Sequence, residues 1–215
     1  MSSSGHQVEF AGRPLGKHRH ICAFFNSVDE EHRVLGSFIR DGLERGEKGV
    51  HVVDTELRAQ YLKGLADTGI DVRRVMGTGQ LEVLPYQDAY LREDRFDQET
   101  MLALVDDLLQ SSATSGYPLA RLLGHMEWAL LDKPGVEDLM EYETRLNYLT
   151  PKYDDLVICC YDLTKFNTSV IMDVMRTHPV VIIGGVLQEN PFFVPPDQFL
   201  LELSERRRKH SVIAM

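Results

Sequence analysis

Cysteine is scarce. The 215 residues contain three, Cys22, Cys159 and Cys160, the last two adjacent. So sparse and odd a set forms no disulfide framework and fits a reducing compartment, the cytoplasm. Cations are also short: 23 Lys and Arg stand against 33 Asp and Glu, a formal charge of −10. Nucleic-acid binding needs clustered Lys and Arg to neutralise phosphates, so direct contact with nucleic acid is not expected. The one basic cluster, Arg206-Arg207-Arg208-Lys209-His210, at the end of the last helix, reads as a solvated basic tail over 206–215 or as cations placed favourably at a helix C-terminus. No apolar run reaches the ~20 residues of a membrane crossing. Residues 1–17 are polar, with no apolar core, so no signal peptide is expected. Zinc-type Cys–His spacing, a Gly-x-Ser-x-Gly elbow and a Ser–His–acid arrangement are all missing. No catalytic residue, metal or cofactor is therefore assigned.

What the chain does have is alternation. Short apolar runs at 21–25, 50–53, 81–84, 121–124, 156–161 and 180–183 read as strands. Between them lie segments with helical spacing, such as Val34, Leu35, Phe38, Ile39 and Leu43, with a final helix at 199–206. Several strands are apolar throughout, as expected when both faces of a sheet are covered. The expected fold class is α/β: three layers, a mostly parallel sheet with helices on both faces. With no repeat and no Gly/Ser/Pro-rich linker, residues 20–205 read as a single domain behind a flexible arm over 1–19. In such sheets ligands bind beyond the carboxyl ends of the strands.

The stretch from Phe38 to Asp54, with its Gly-Leu, Arg-Gly-Glu and following strand, resembles the helix and second strand after the phosphate loop of KaiC-like ATPases. His20-Ile21-Cys22-Ala23-Phe24-Phe25, Gly42-Leu43-Glu44-Arg45-Gly46-Glu47, Met126-Glu127-Trp128 and Cys160-Tyr161-Asp162-Leu163 together resemble the MEDS family, over about residues 20–203. That name stands for methanogens, methylotrophs and the sensory domain of the dichloromethane-responsive regulator DcmR. The resemblance implies a RecA/KaiC-like fold and a sensory role in signal transduction or transcriptional regulation. It also implies binding of a small hydrocarbon-like molecule and a separate regulatory partner, a kinase or transcription regulator, to receive the signal. RecA-like domains often self-associate, so a homo-oligomer is expected by analogy.

A phosphate-cradling loop needs glycines, a Lys for the phosphate oxygens and a Ser or Thr for Mg²⁺. The matching segment, 25–32, has no Gly and no Lys, but carries Asp29, Glu30 and Glu31. These acids suit a helix N-terminus and repel a triphosphate, so ATP hydrolysis is not expected and the chain reads as a non-enzyme. Asp54 and Glu56 fall where KaiC-like ATPases carry catalytic carboxylates, though Asp54 equally reads as a helix cap.

The candidate ligand residues lie at strand ends. Phe25 and Asn26 follow the first strand and Asp54 the second. Tyr86, with Tyr90, sits in a polar loop that is either a lid or a cover for a neighbouring helix. Glu127 and Trp128 either line a pocket, with the indole N–H as a polar handle, or divide between solvent and core. Tyr161 and Asp162 end a strand, and Asp162 either binds a ligand, caps its loop or pairs with Lys165. Asn190 borders a ligand or partner, unless its segment is a strand-like ribbon or turn in which Gly184 and Gly185 supply positive φ. Two other functions stay open: a protein-interaction module acting on a kinase or anti-sigma-type regulator, from the surplus of acid, and a remnant nucleotide-binding protein, from Asp54 and Glu56.

Overall fold

In the computed structural model the described residues are 9–10 and 13–213. They form nine strands and seven α-helices: β1 (Glu9–Phe10), β2 (Arg13–Pro14), β3 (His20–Phe25), α1 (Val28–Glu44), β4 (Lys48–Val53), α2 (Arg58–Asp67), α3 (Val72–Gly77), β5 (Leu81–Pro85), α4 (Gln98–Thr114), β6 (Ala120–His125), α5 (Leu139–Leu149), β7 (Leu156–Asp162), α6 (Thr168–Thr177), β8 (Val180–Ile183), β9 (Val186–Glu189) and α7 (Pro196–Ile213). The main sheet has seven strands in the order β5-β4-β6-β7-β3-β8-β9, parallel except for the last pair.

Alternation along the central strands makes two cores. On β7, Val157, Cys159 and Tyr161 face one cluster, while Leu156, Ile158 and Cys160 face the other. The first cluster is covered by α4, α5 and α6, the second by α1, α2 and α3. This is the expected three-layer arrangement. Helix α1 starts where its sequence says it should. The Ser27 Oγ accepts the Glu30 N–H at 3.2 Å, and Asp29, Glu30 and Glu31 fill the first turn.

Three expectations need correction. First, residues 186–189, read as a loop with a strand-like ribbon as the alternative, form β9. Gly184 and Gly185, at φ 57° and 75°, make the two-residue turn that pairs it antiparallel with β8. Second, there is no separate basic tail within the described residues: α7 runs to Ile213. Arg206 pairs with Asp173 at 2.6 Å, and Arg207 with Asp138 at 2.7 Å and Glu141 at 2.8 Å, so these cations bind the helix back onto the domain. Third, the expected flexible arm lies partly outside the described residues. Within it, β1 and β2 pair antiparallel, and Leu15 packs against the core.

The segment between β5 and α4 is a cover, not a lid: Tyr86, Tyr90, Leu91 and Phe96 are all buried. Its fit is tight at Gly124 on β6, where an added Cβ would strike the Tyr90 hydroxyl. Gly124→Ala is expected to cost about 1–3 kcal/mol through this overpacking. Calorimetry should show the melting temperature recover in part when Tyr90→Phe removes that hydroxyl.

Candidate functional site

The carboxyl ends of β3, β4, β6 and β7 converge beside the N-terminus of α1. They enclose a cleft of about 500 Å³, counted out to open solvent. Its apolar wall is Val28, Val53, Leu57 and Tyr61, and its polar wall includes Glu31, Asp54, Tyr86, His125, Glu127 and Lys165.

The strongest interaction here joins α1 to β6. The His125 Nε2 lies 2.6 Å from Glu31, and its Nδ1 lies 3.2 Å from the Val52 carbonyl. A carbonyl only accepts, so Nδ1 carries a proton. The carboxylate opposite holds a second one, and the ring is an imidazolium. Burial alone would lower its pKa, but Glu31, its hydrogen bond and the nearby Glu127 outweigh burial and raise it to about 9. Burial likewise pushes Glu31 upward, and the His125 charge and hydrogen bond overcome this and hold it below the ordinary carboxylate value. Tyr61 stands edge-on to His125, with ring centroids 5.2 Å apart.

A second polar group faces the first. Glu127 accepts from the Tyr86 hydroxyl and from Lys165, each at 3.3 Å, and Lys165 also lies 3.3 Å from Asp162. Some of the donors at the start of α1 are already engaged. Glu30 accepts the Asn26 backbone N–H at 2.8 Å and its side-chain amide at 3.2 Å, while Ser27 takes the Glu30 N–H.

Among the residues expected from the sequence, Asp54, Tyr86 and Glu127 line the cleft. Asp54 does not cap α2, whose N-cap is Leu57; it accepts the Glu56 N–H at 2.8 Å in the turn before it. Phe25, Tyr161 and Asp162 border a smaller recess that Glu31, His125 and Glu127 share. Asn26 is exposed, and its amide is spent on Glu30.

Trp128 is not brought to the cleft. It is fully buried on the α4–α5 side, stacked on Tyr90 at 4.7 Å and against Phe96 at 4.5 Å, and its indole N–H has no partner. Asn190 is also remote. Its amide donates to the carbonyls of Met175 and His178, and its Oδ1 accepts the Phe192 N–H, so it ties the exit of β9 to α6.

Glu31 and Tyr61 are among the cleft residues that sequence reasoning missed. Glu31 passed as one of three helix-capping acids, and its partner lies 94 positions away. Away from the cleft, four potential metal ligands meet in the interior: His20, Glu143, Cys159 and His178, all buried, with ligand atoms within 4.8 Å of one another.

Residues 19–179 match the family described as MEDS, the methanogen/methylotroph, DcmR sensory domain. Among curated proteins the chain is similar to the transcriptional repressor DcmR of Methylorubrum extorquens (strain DSM 6343 / CIP 106787 / DM4). The two are 27% identical over 173 residues, 80% of this chain and 62% of that protein, so the chain spans less than two thirds of the relative's length. Among solved structures it is similar to a KaiC-like protein of the hyperthermophilic archaeon Pyrococcus horikoshii OT3. That match has a TM-score of 0.54 at 15% identity and covers 76% of this chain and 70% of that one. A likeness at that identity speaks for the fold alone: RecA/KaiC-like.

Proposed function

The chain belongs to the MEDS family, and from that premise we propose that it is a sensory domain that binds a small hydrocarbon derivative in the cleft beyond β3, β4, β6 and β7, without hydrolysing nucleotide. The feature that carries this reading is the Glu31–His125 pair. It places a part-buried carboxylate in the first turn of α1, where a nucleotide's phosphates would need free N–H groups and positive potential. Two neighbouring donors, the Asn26 and Glu30 N–H groups, are already taken by Glu30 and Ser27. Both cations of the cleft wall, His125 and Lys165, are also paired with carboxylates. An anion would therefore have to break the part-buried Glu31–His125 pair or displace Glu127 from the exposed Lys165, whereas an uncharged molecule with one polar group meets an apolar wall and the Tyr86–Glu127 edge.

The test is a thermal-shift screen of short alcohols and halogenated hydrocarbons against ATP and GTP with Mg²⁺. At a ligand concentration of 100 Kd the stabilisation is about 2.7 kcal/mol, a rise of roughly 5–10 °C for a chain of this size. Leu57, on the cleft wall, is exposed, so Leu57→Asp should leave the unliganded melting temperature nearly unchanged and abolish the response. Stabilisation by the nucleotides, with none by the uncharged compounds, would replace this reading with the nucleotide-binding one.

A further inference from the structure

The interior between β3, β7, α5 and the start of β8 contains a polar cluster that the cleft does not use. His20 opens β3, Glu143 lies on α5, Cys159 is the middle of β7 and His178 precedes β8; each is at most 1% exposed. The Glu143 Oε2 lies 3.1 Å from the His20 Nε2, 3.3 Å from the His178 Nε2 and 3.4 Å from the Cys159 sulfur, and that sulfur lies 3.6 Å from the His20 Nε2.

The outer ring nitrogens fix both tautomers. The Asn147 amide group donates to three carbonyls, those of Glu143, Thr144 and Thr177. Its oxygen is therefore the atom that faces the His20 Nδ1, at 3.2 Å, and that Nδ1 must carry a hydrogen. The His178 Nδ1 lies 2.9 Å from the Val174 carbonyl, so it carries one too. Each neutral ring then turns a bare Nε2 lone pair toward the Glu143 carboxylate, which is also an acceptor.

Two acceptors aimed at a third repel one another unless something positive lies between them. Protons can serve one ring. The two imidazoles are 4.0 Å apart between centroids, so protonating both would set two like charges side by side in the core. The His178 Nε2 in fact has no hydrogen-bond partner.

We propose that His20, Glu143, Cys159 and His178 form a closed binding site for a divalent transition-metal ion of the zinc class. Two imidazoles, a thiolate and a carboxylate are the donor set that such ions take. Tetrahedral zinc with bonds of about 2.0–2.3 Å sets its ligand atoms roughly 3.3–3.8 Å apart. Four of the six separations, 3.1, 3.3, 3.4 and 3.6 Å, sit in or just below that span, and the other two, from the His178 Nε2 to the His20 Nε2 and to the Cys159 sulfur, lie within 4.8 Å, so metal binding would draw the His178 ring toward the other ligands. Outward Nδ1–H groups bonded to carbonyl-type oxygens are the supporting arrangement that metal-binding histidines use. On binding, the Cys159 thiol releases its proton to solvent. The dication then neutralises the thiolate and the Glu143 carboxylate, leaving no net charge in the interior. With four protein ligands and no exposure, the ion would tie α5 to the sheet and have no coordination position for a substrate.

Elemental analysis of the full chain expressed with zinc supplied should find about one zinc per chain. Refolding with Co²⁺ in place of zinc should give the intense visible bands of tetrahedral cobalt and a near-ultraviolet thiolate-to-cobalt band. Cys159→Ser should remove that near-ultraviolet band, and Asn147→Ala should weaken metal affinity about 10–100-fold. If Cys159→Ser does not fold, the wild-type cobalt spectrum decides alone. A folded wild-type chain without bound metal, a cobalt spectrum without the thiolate band, or a spectrum unchanged in a folded Cys159→Ser chain would each overturn the proposal.

Discussion

Glu31→Gln is expected to lower the melting temperature by roughly 6–12 °C near neutral pH and to remove most of the stability loss that the wild-type chain shows between pH 7 and 10. The His125 pKa in the fold is about 9 against an ordinary 6.5. A raised pKa means that the folded state holds the proton more tightly, so the stabilisation is fully present below pH 6.5 and is lost as pH rises through 9. A displacement from 6.5 to about 9 corresponds to about 3 kcal/mol. At about 2–4 °C per kcal/mol for a chain of this size, that is the stated drop. Glu31 works at the other end of the scale. Its folded pKa is held below the ordinary 4.5, so its contribution is present above that value and is lost as pH falls through the lowered one. The wild-type chain should thus be most stable between about pH 4.5 and 6.5, as far as this pair decides. With glutamine at position 31, His125 keeps only the weaker hold of Glu127 and the Val52 carbonyl against burial, which favours the neutral ring, so most of the alkaline slope disappears. Melting curves for both chains at pH 6, 8 and 10 check this, and parallel profiles would show that the pair does not set the slope.

The parts of the fold that were legible in the sequence are those governed by burial. The runs at 21–25 and 156–161 are apolar on both faces because β3 and β7 are central strands, each flanked by parallel neighbours. Strand β9 was legible only as one alternative for a loop, for the opposite reason. It is an edge strand, and three of its four residues are exposed, so Val-Leu-Gln-Glu shows no buried run. The arginines of α7 looked like a solvated tail because their partners, Asp138, Glu141 and Asp173, lie on other helices.

The site divides along the same line. Asp54, Tyr86 and Glu127 were legible because they stand at strand ends. Trp128 follows Glu127 in a tight helical turn, Glu127–Leu130, and consecutive residues in such a turn point in different directions. Glu127 therefore faces the cleft while Trp128 enters the core. Neither the Glu31–His125 pair nor the His20–Glu143–Cys159–His178 cluster has any local signature. A parallel sheet brings such residues together from separate crossovers, so sequence spacing carries no trace of them.

The same distinction governs the second large effect, which concerns the segment that carried much of the family resemblance. Glu47→Ala is expected to cost about 3–5 kcal/mol, because it strands a buried guanidinium. Gly42-Leu43-Glu44-Arg45-Gly46-Glu47 closes α1 and leads into β4 at the end of the strand away from the cleft. Gly46 ends the helix at φ 80°. Glu47, 1% exposed, pairs with the Nε of Arg121, 4% exposed. That guanidinium also donates to the Phe38 carbonyl and lies 3.9 Å from the Phe38 ring centroid. Gly42 leaves the room: an added Cβ would lie 2.6 Å from the Arg121 Nε and 2.7 Å from its Cζ. The pair is nevertheless incompletely satisfied, since the Glu47 Oε1 and the Arg121 Nη2 have no hydrogen-bond partner. Each ion has lost its hydration, and a single contact offsets only part of that cost. Replacing both by apolar groups, Glu47→Leu with Arg121→Met, should therefore return most of the stability that Glu47→Ala loses, or exceed the wild type. Chemical denaturation of the three chains measures the two differences. Because the pair lies at the opposite end of β4 from Asp54, the double variant should keep an unchanged ligand-induced thermal shift. If that shift were lost while stability returned, the Gly-Leu-Glu-Arg-Gly-Glu segment would belong to the sensing apparatus and not only to its scaffold.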